Sequence, residues 1–418
     1  MTAPAARTTV AVVGAGPVGL AVAAGLLTGS CAGRFGVHVV DAAAPLPWNP
    51  DVVDLRVYAL SRASQRILGA LGAWRGIAAS RVSPYRRMRV WEGDSFDTSA
   101  SIDFDCAELG EPDLGHIVED RLIRAELLRI VTATGGRFTP KAAICAVAEE
   151  SEALRIELAG GETIRAALLV AADGAESQVR SMFRMPVIAR SYGQSALVTH
   201  VDTERPHAET AYQRFLPGGP LAFLPLADGR SSVVWSLPER RAEQLISMPD
   251  GEFVAELEAA SCGVLGALGQ PAGRARFPLR MLHTVRYCRS RLVLAGDAAH
   301  CVHPLAGQGM NLGLLDAACL VEELERGLQR GQALGDLPAL RRYERRRKGD
   351  NLQMLLALDA VGRLFDLPGW VGPLRAWGLH GVDCAGPLKR ALIRRALRPT
   401  DPLPRAFEAR IDTVASGG

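Results

Sequence analysis

Apolar and polar residues follow two patterns along the chain, and the first is seen near its start. Residues 8–13 form a short run rich in β-branched side chains, residues 14–19 are broken by glycine and proline, and residues 20–27 have alanine and leucine at helical density. Residues 35–41 form a second apolar run that ends in an acid. This order predicts a βαβ unit with a parallel pair of strands.

The second pattern is alternation of apolar and polar residues, which is typical of antiparallel strands. It occurs between residues 88 and 117 and is most pronounced over residues 186–280, where short runs are separated by glycine and proline turns. Helices are predicted at 57–71, 121–132, 310–329 and over most of the last seventy residues, and further strands at 143–149, 154–158, 168–172 and 291–295.

Residues 10–33 carry no formal charge and are long enough to suggest a membrane span. The glycines and the proline within residues 14–19 interrupt that stretch, so a strand, a turn and a helix are the preferred interpretation.

Composition narrows the class of protein. A length of 418 residues with 48% apolar and 22% charged residues predicts a globular chain of two or three structural units. A formal net charge of +3 over this length does not indicate a nucleic-acid partner. The eight cysteines lack CxxC or Cys/His ligand spacing, which argues against a metal site and a disulfide framework and favours a cytoplasmic protein with reduced cysteines.

The first chemical motif is Gly14-x-Gly16-x-x-Gly19, followed by Asp41 at the end of the next strand. Gly14 would allow the tight turn, Gly16 would let the backbone approach a pyrophosphate, and Gly19 would let the helix pack on the sheet. The helix N-terminus favours phosphates, and Asp41 would accept hydrogen bonds from ribose hydroxyls. A purely structural glycine turn is the alternative, but the strand before and the acid after favour a dinucleotide site.

The second chemical motif follows the apolar strand at 168–172. It consists of Asp173-Gly174, followed by Ser177 and Arg180. These groups suit polar contacts to a phosphate or ribose, although an Asp-Gly pair alone is more often only a turn.

The third chemical motif follows the strand at 291–295. It begins with Gly296-Asp297, and a glycine-rich segment at residues 304–313 then leads into the long helix. The start of this helix would stabilise a delocalised anion such as the N1 and C2=O edge of a reduced flavin. Three nucleotide-type turns together imply one long cofactor.

The three motifs in this order resemble the class A flavoprotein monooxygenases of the para-hydroxybenzoate hydroxylase fold. Residues 300–313, with the sequence HCVHPLAGQGMNLG, resemble the ubiquinone-biosynthesis hydroxylases within that class. Further similarity lies at 54–60, 71–74, 114–119, 343–347 and 351–359.

The resemblance implies an α/β fold with a Rossmann-like FAD-binding domain of the para-hydroxybenzoate hydroxylase type, an antiparallel β-sheet substrate domain and a helical C-terminal tail. The FAD-binding domain would comprise residues 1–185, with an inserted strand segment near 80–118, and residues 281–345. The substrate domain would be residues 186–280 and the helical region residues 346–418.

The resemblance also implies non-covalent FAD, with NAD(P)H as electron donor and no metal. The implied FAD contacts are Gly14, Ala15, Gly16, Gly19 and Asp41 at the adenosine end, Arg121 beside the pyrophosphate, Asp173 and Gly174 near the pyrophosphate and the nicotinamide donor, Gly296 and Asp297 at the ribityl or phosphate chain, and Pro304, Gly307, Gln308, Gly309, Met310 and Asn311 around the flavin ring. Arg56 is placed near the flavin. The family commonly has Asn where Glu119-Asp120 stands and Glu where Asp41 stands.

The implied reaction is hydroxylation of a polyprenyl phenol or benzoquinol in ubiquinone biosynthesis, in which a flavin C4a-hydroperoxide formed from dioxygen transfers oxygen to the ring. Arg56 and His303 are the candidate catalytic residues, although His300 and His303 would more often be structural. Leu221, Phe223 and Trp235 are candidates for the substrate wall, with core packing as the alternative. A reductase or dehydrogenase of the same fold, a hydroxylase of another aromatic substrate and a non-catalytic flavin-binding subunit are the competing hypotheses.

The C-terminal part leaves two interpretations open. The basic run at 341–348 predicts a solvated helix face, with a membrane or partner surface as the alternative. Apolar faces at 353–365 and 370–379, with basic residues at 389–398, predict either peripheral association with the inner face of a membrane or a helical lid. A ubiquinone-biosynthesis complex and a homo-oligomer are further partner hypotheses.

Overall fold

The computed structural model describes residues 8–94, 96, 101–302, 307–366 and 407. The strands, in chain order, are β1 (Thr9–Val13), β2 (Gly36–Val40), β3 (Val57–Ser61), β4 (Ser83–Tyr85), β5 (Arg87–Glu92), β6 (Ser101–Asp105), β7 (Gly115–Glu119), β8 (Arg137–Thr139), β9 (Ile144–Glu149), β10 (Leu154–Leu158), β11 (Thr163–Ala166), β12 (Leu168–Ala171), β13 (Val187–Val201), β14 (Thr210–Leu216), β15 (Gly219–Pro225), β16 (Ser231–Pro238), β17 (Ala275–Thr284), β18 (Cys288–Arg289), β19 (Leu292–Leu294) and β20 (His300–Cys301). The helices are α1 (Pro17–Thr28), α2 (Arg62–Ala70), α3 (Trp74–Ser80), α4 (Asp120–Ala133), α5 (Gln178–Met182), α6 (Glu239–Ser247), α7 (Asp250–Ser261), α8 (Gln308–Gln329) and α9 (Leu337–Asp366).

The predicted βαβ unit begins a six-stranded sheet with the order β18-β19-β12-β1-β2-β8. β1 pairs in parallel with β2 and with β12, and β12 pairs in parallel with β19. α1 packs against α8 and α4, so these apolar strands lie under helices. Because the carboxyl ends of parallel strands share one edge of a sheet, the residues that follow β1, β2, β12 and β19 converge there.

The uncharged stretch at residues 10–33 forms β1, the glycine turn and α1, as the sequence predicts. Among the residues that the structure describes, no helix combines the length and the apolar character needed to cross a membrane.

The predicted helix at 57–71 is correct only in its second half. Its first five residues form β3, which pairs antiparallel with β7. Ser61 then caps α2, since its side chain accepts a hydrogen bond from the backbone N–H of Ser64. Val57 and Tyr58 favour a strand, and β7 supplies the hydrogen bonds that stabilise it. The spacing of apolar residues within 57–71 gives no information about this distant partner.

The second large sheet has eight strands in the order β20-β17-β13-β16-β15-β14-β5-β6. It extends beyond residues 186–280, because β5 and β6 from the segment near 80–118 join it through a parallel pairing of β5 with β14. One face of this sheet packs on α6 and α7 around Phe253 and Leu257. The other face is turned toward the first sheet.

The basic run at 341–348 is a solvated helix face only in part: Arg341 and Arg345 are exposed, whereas other members bind acidic residues of α8. Arg342 and Arg346 on α9 bind Glu323 on α8 at 2.8 and 2.9 Å, and Arg346 also binds Glu322. The Glu323 side chain is 1% exposed and also forms a salt bridge with Arg326. The charge pattern therefore joins two helices, because acidic residues of α8 face the basic residues of α9.

Glu323→Gln is expected to reduce the free energy of unfolding by about 1–3 kcal/mol, since it leaves partly buried arginines without a charged partner. Urea unfolding followed by circular dichroism measures the change. Glu243→Gln, which breaks an exposed pair with Arg276, should stay within about 0.5 kcal/mol of the wild type. Equal effects of the two substitutions would show that the α8–α9 pairs add no stability.

Candidate functional site

A cavity of about 1210 Å³ lies between the carboxyl edge of the six-stranded sheet and the free face of the eight-stranded sheet. Its volume exceeds the range of about 300–1,000 Å³ of common small-molecule sites, so it has room for two ligands. Its wall contains these predicted residues: Gly14, Gly16, Asp41, Arg56, Asp173, Gly174, Asp297, Gly307, Gln308, Gly309, Met310 and Asn311. The predicted residues His303 and Pro304 lie outside the described residues.

The three glycines of the first motif have different surroundings. Gly14 has a φ of +103°, and a Cβ there would lie 2.2 Å from the Ala172 carbonyl oxygen. A Cβ on Gly19 would lie 2.0 Å from the Gly14 carbonyl oxygen, so this glycine permits close packing of α1 on the turn. A Cβ on Gly16 would meet no atom within 4 Å. Gly16 therefore faces open space at the N-terminus of α1, where a ligand phosphate can approach the backbone.

Asp41 closes the glycine turn as well as lining the cavity. Its carboxylate accepts the backbone N–H of Ala15 at 2.7 Å and that of Ala43 at 2.8 Å. The Ala15 N–H is thus already bonded, but each oxygen of Asp41 retains capacity to accept a ligand hydroxyl.

Arg124, which the sequence analysis did not single out, lies in the cavity wall, whereas the predicted Arg121 does not. Arg121 is paired with Asp54, with 3.6 Å between Nε and the carboxylate. Arg124 donates to the Ala15 carbonyl at 3.1 Å, which places its guanidinium beside the glycine turn. The two residues are close to one helical turn apart on α4. The sequence predicts this helix, but tertiary packing decides which of its residues face the cavity.

Glu119, at the end of β7, holds the loop that leads to Arg56. It is 3% exposed, binds Arg81 at 2.7 Å and accepts the Asp54 backbone N–H at 2.6 Å. Asp120 accepts the Tyr58 hydroxyl at 3.0 Å. Both acids therefore have local structural partners.

The second motif divides into cavity-facing and structural residues. Gly174 has a φ of +80° and open space around it, and Asp173 Oδ1 is buried with no hydrogen-bond partner among the described residues. Ser177 instead caps α5. Arg180 is buried and donates to the carbonyls of Ala175 at 2.7 Å and Ala298 at 2.9 Å. Ser177 and Arg180 are therefore bonded within the protein, and Arg180 joins the second motif to the third.

Asp297 follows the tight turn at Gly296, where φ is +60° and a Cβ would press on Val18 at 3.1 Å. Its carboxylate faces the cavity. Displacement of water by the protein atoms around it raises the pKa of Asp297 from its usual value, and His300 and Arg56 act in the opposite direction. This turn presents a carboxylate to the cavity, in the position expected for contact with cofactor hydroxyls.

A buried polar cluster lies behind this turn and is centred on Asp316 of α8. Asp316 Oδ2 accepts His300 at 2.6 Å and the Gly296 backbone N–H at 3.1 Å. Asp316 Oδ1 accepts Arg347 at 2.8 Å and Asn351 at 3.1 Å. Burial alone would raise the pKa of Asp316, but His300 and Arg347 hold it well below its usual value. His300 is therefore a structural residue that links the third motif to α8 and α9.

Asn311 fixes the start of α8 against β3. Its carbonyl oxygen accepts the Ser61 N–H at 2.8 Å and the Ser64 hydroxyl at 2.7 Å, and its amide donates to Ala59 and Gly307. All its hydrogen-bonding groups are thus used within the protein. Gly309 and Met310, in the first turn of α8, line the cavity and carry backbone N–H groups of the kind that a helix leaves without intrahelical partners.

The three residues proposed for the substrate wall point away from the cavity. Leu221, Phe223 and Trp235 belong to the apolar cluster under α6 and α7. The residues that line the cavity from the same strands include Ala222 and Val234. Side chains alternate between the two faces of a strand, so the correct face differs from the expected one by a single residue. Which face meets the cavity is decided by α6 and α7.

The described residues fit FAD. The open space at Gly16 and Gly174, the unpartnered Asp173 oxygen and the first turn of α8 are arranged along one cavity. Backbone N–H groups and carboxylates of this kind suit phosphates and ribose hydroxyls respectively.

Asp316→Asn is expected to lower the free energy of unfolding by about 3–5 kcal/mol, because it removes the buried carboxylate that binds Arg347 and His300 and leaves Arg347 only the more exposed Asp350 as a charged partner. The pKa of Asp316 is lower in the folded protein than in the unfolded chain, so its contribution is present above about pH 4 and is lost as the pH falls further. Urea unfolding between about pH 3 and pH 7 should therefore show the two proteins converging in acid. Asp103→Asn, in an exposed pair with Arg89, is the control, and an Asp316→Asn deficit that does not shrink in acid would contradict the ionic role.

Comparison with known proteins identifies the family. A sequence family described as FAD binding domain matches residues 7–354. The 3-demethoxyubiquinol 3-hydroxylase of Escherichia coli (strain K12) is 38% identical over 397 residues, covering 93% of this chain and 98% of the relative. Ubiquinone biosynthesis monooxygenase COQ6 of Homo sapiens is 34% identical over 385 residues, covering 81% of each chain.

Solved structures confirm the fold. The p-nitrophenol 4-monooxygenase PnpA from Pseudomonas putida DLL-E4 superposes with a TM-score of 0.74 at 18% identity, covering 95% of this chain and 99% of its own. PqsL, a probable FAD-dependent monooxygenase from Pseudomonas aeruginosa, has a TM-score of 0.75 at 23% identity, covering 90% and 99%. The chain therefore belongs to the FAD-binding family of class A flavoprotein hydroxylases, in the group that includes the ubiquinone-biosynthesis enzymes.

Proposed function

We propose that this protein hydroxylates the aromatic ring of a polyprenyl phenol or benzoquinol intermediate of ubiquinone biosynthesis, using FAD, NAD(P)H and dioxygen. The observation that carries the proposal is that one cavity joins two chemically different walls. One wall has the carboxylates and glycine turns at Asp41, Asp173 and Asp297, and the other has apolar residues such as Ala222 and Leu358. The names of the relatives in Escherichia coli and Homo sapiens support ubiquinone biosynthesis as the pathway.

The protein's own residues would bind and orient the cofactor and shield the reacting ring from water. Asp41 and Asp297 would accept cofactor hydroxyls, and Asp173 with Gly174 would lie near the pyrophosphate and the nicotinamide donor. We assign Arg124, in place of Arg121, to the pyrophosphate side, because Arg124 reaches the glycine turn. When bound, FAD supplies hydride acceptance and oxygen activation.

Around the flavin ring, the first N–H groups of α8 would stabilise negative charge, because they lie at the positive end of a 22-residue helix. The Arg56 guanidinium lies 5.4 Å from the Tyr58 ring centroid and 5.8 Å from that of Phe277, which holds it at the cavity wall. The apolar sheet face and α9 would exclude water from the reacting ring.

The reaction is tested by supplying the purified protein with NAD(P)H, isotopically labelled dioxygen and a short-chain demethoxyubiquinol. A hydroxylase is expected to give a product heavier by one labelled oxygen atom, detected by mass spectrometry. NAD(P)H oxidation that reduces the substrate with no label in the product would favour the reductase alternative. A protein that binds FAD without turnover of this or a related prenyl phenol would favour the non-catalytic subunit.

Asp297→Ala is expected to weaken FAD binding roughly ten- to hundredfold, since a charge-assisted hydrogen bond contributes about 1.5–3 kcal/mol. The flavin is expected to be non-covalent, so acid treatment should release it and yield apoprotein for titration by fluorescence quenching. Glu152→Ala, an exposed acid, is the control. Unchanged affinity for Asp297→Ala would remove Asp297 from the site.

For membrane association, we propose a patch formed by β13, α9 and the residue after β17. Its exposed aliphatic members are Val187, Ile188, Val285, Leu352 and Leu356, with Ile188 and Leu356 each 57% exposed. The elements are adjacent because Lys348 Nζ donates to the Val285 carbonyl at 2.6 Å and Val285 donates to the Pro186 carbonyl at 2.9 Å. The exposed side chains of Arg190, Arg286 and Arg345 lie on the same elements or next to them in sequence.

Exposed aliphatic residues flanked by arginines suit an interface with anionic lipids, which would deliver a lipophilic substrate to the cavity.

Residues 354–361 of α9 contribute Met354, Leu358 and Val361 to the cavity wall. This part of the predicted tail therefore covers the cavity, and truncation after Arg347 would remove it together with Asn351. Point substitutions in the patch are the appropriate test. A ubiquinone-biosynthesis complex and a homo-oligomer are further partner proposals.

The double substitution Ile188→Glu/Leu356→Glu is expected to reduce co-sedimentation with vesicles containing anionic lipid by at least about tenfold, because it places charge at an apolar interface. Flavin content should be unchanged. Leu46→Glu, at a residue that is 60% exposed outside the patch, is the control. Equal vesicle binding by the double variant and the control would exclude this patch as the lipid surface.

A further inference from the structure

One polar side chain stands out on the apolar wall of the cavity. Gln213 lies in the middle of β14 and is only 8% exposed. It pairs in register with Ala222 on β15 and with Val90 on β5, and Ala222 lines the cavity beside it. Its neighbour Tyr212 packs with the cluster under α6 and α7, so alternation directs the Gln213 side chain to the cavity face.

The Gln213 side chain makes no hydrogen bond with the residues that the structure describes, and it lines the cavity. A side-chain amide can donate two hydrogen bonds and accept others, so this amide keeps its full capacity for a ligand. The next residue shows the usual outcome, since buried Arg214 donates to the carbonyls of Gly93 and Ala260 and to the Asp94 carboxylate. Gln194 likewise donates to the Gly218 carbonyl at 2.9 Å. An unpartnered, nine-tenths buried amide in a cavity wall therefore points to a polar atom of a ligand.

The surroundings specify what kind of atom this is. The nearby wall residues Val198, Ala222, Leu224 and Val234 are apolar, and Ser236 adds a hydroxyl on the same face. In the described wall, the arginines are Arg56 and Arg124, and both belong to the other elements rather than to this sheet. The described wall residues of β14, β15 and β16 beside Gln213 are uncharged, so a neutral hydroxyl or carbonyl oxygen is the complementary group there.

We propose that Gln213 orients the substrate by hydrogen bonding to a ring oxygen of a neutral prenylated phenol or quinol, and so selects which ring edge meets the flavin. The inference rests on the proposed function, because it takes that substrate class as given. It adds a residue that sets the orientation of the ring.

Equilibrium dialysis of the FAD-loaded protein without NAD(P)H tests the proposal with two probes, 2-geranylphenol and geranylbenzene, which differ by one ring hydroxyl. The wild type is expected to bind the phenol about 3- to 10-fold more tightly than the hydrocarbon. Gln213→Leu is expected to abolish that preference while affinity for geranylbenzene stays within twofold of the wild type. Gln213→Met, which keeps an unbranched side chain, repeats the test if the leucine variant fails to fold, and Gln213→Glu should retain part of the preference.

Gln270→Leu, an exposed glutamine in a loop, is the matched control and should keep the full preference. A Gln213→Leu protein that retains the wild-type preference overturns the proposal, as does one whose defect is loss of FAD, measured by flavin absorbance. A wild-type protein that binds both probes equally overturns the role of Gln213 and leaves the proposed function standing. A wild type that binds neither probe contradicts the proposed function itself.

Discussion

The geometry of the cavity depends on one buried carboxylate, Asp316. It lies on α8, and it receives hydrogen bonds from the turn before Asp297, from His300, and from Arg347 and Asn351 of α9. A buried carboxylate requires charged and polar partners, so these segments cannot separate without exposing it unpaired. The third motif, the helix whose start faces the cavity and the helix that covers the cavity are therefore held in one arrangement.

A second set of contacts aligns the remaining motifs with the first. Arg180 joins the turn after β12 to the turn after β19, and Asp41 joins the end of β2 to the glycine turn after β1. Asn311 joins the start of α8 to β3. Each contact uses a side chain to satisfy backbone groups of a different segment. The residues between the ligand-facing groups are thus bonded to one another.

One face of the eight-stranded sheet packs against helices, and the other face lines the cavity. Large apolar residues such as Phe223 and Trp235 pack under α6 and α7, whereas smaller ones such as Ala222 and Val234 leave space on the other face. This division explains how a strand-rich domain can both have a core and line a large cavity. It also explains why Gln213 is conspicuous there: most of the described residues on the open face are apolar.

The sequence alone determined the βαβ start, the glycine turn with Asp41 and the two strand ends that carry Asp173 and Asp297. These features depend on local turn chemistry and short-range periodicity, which a sequence displays directly. It did not determine which face of β15 and β16 meets the cavity, that residues 57–61 form a strand, or that the basic run of α9 binds Glu322 and Glu323 of α8. Nor did it distinguish Arg124 from Arg121, or show that His300 is held by Asp316. Those outcomes depend on partners distant in the chain, because a side chain's environment is set by the elements packed against it, and only the tertiary structure specifies them.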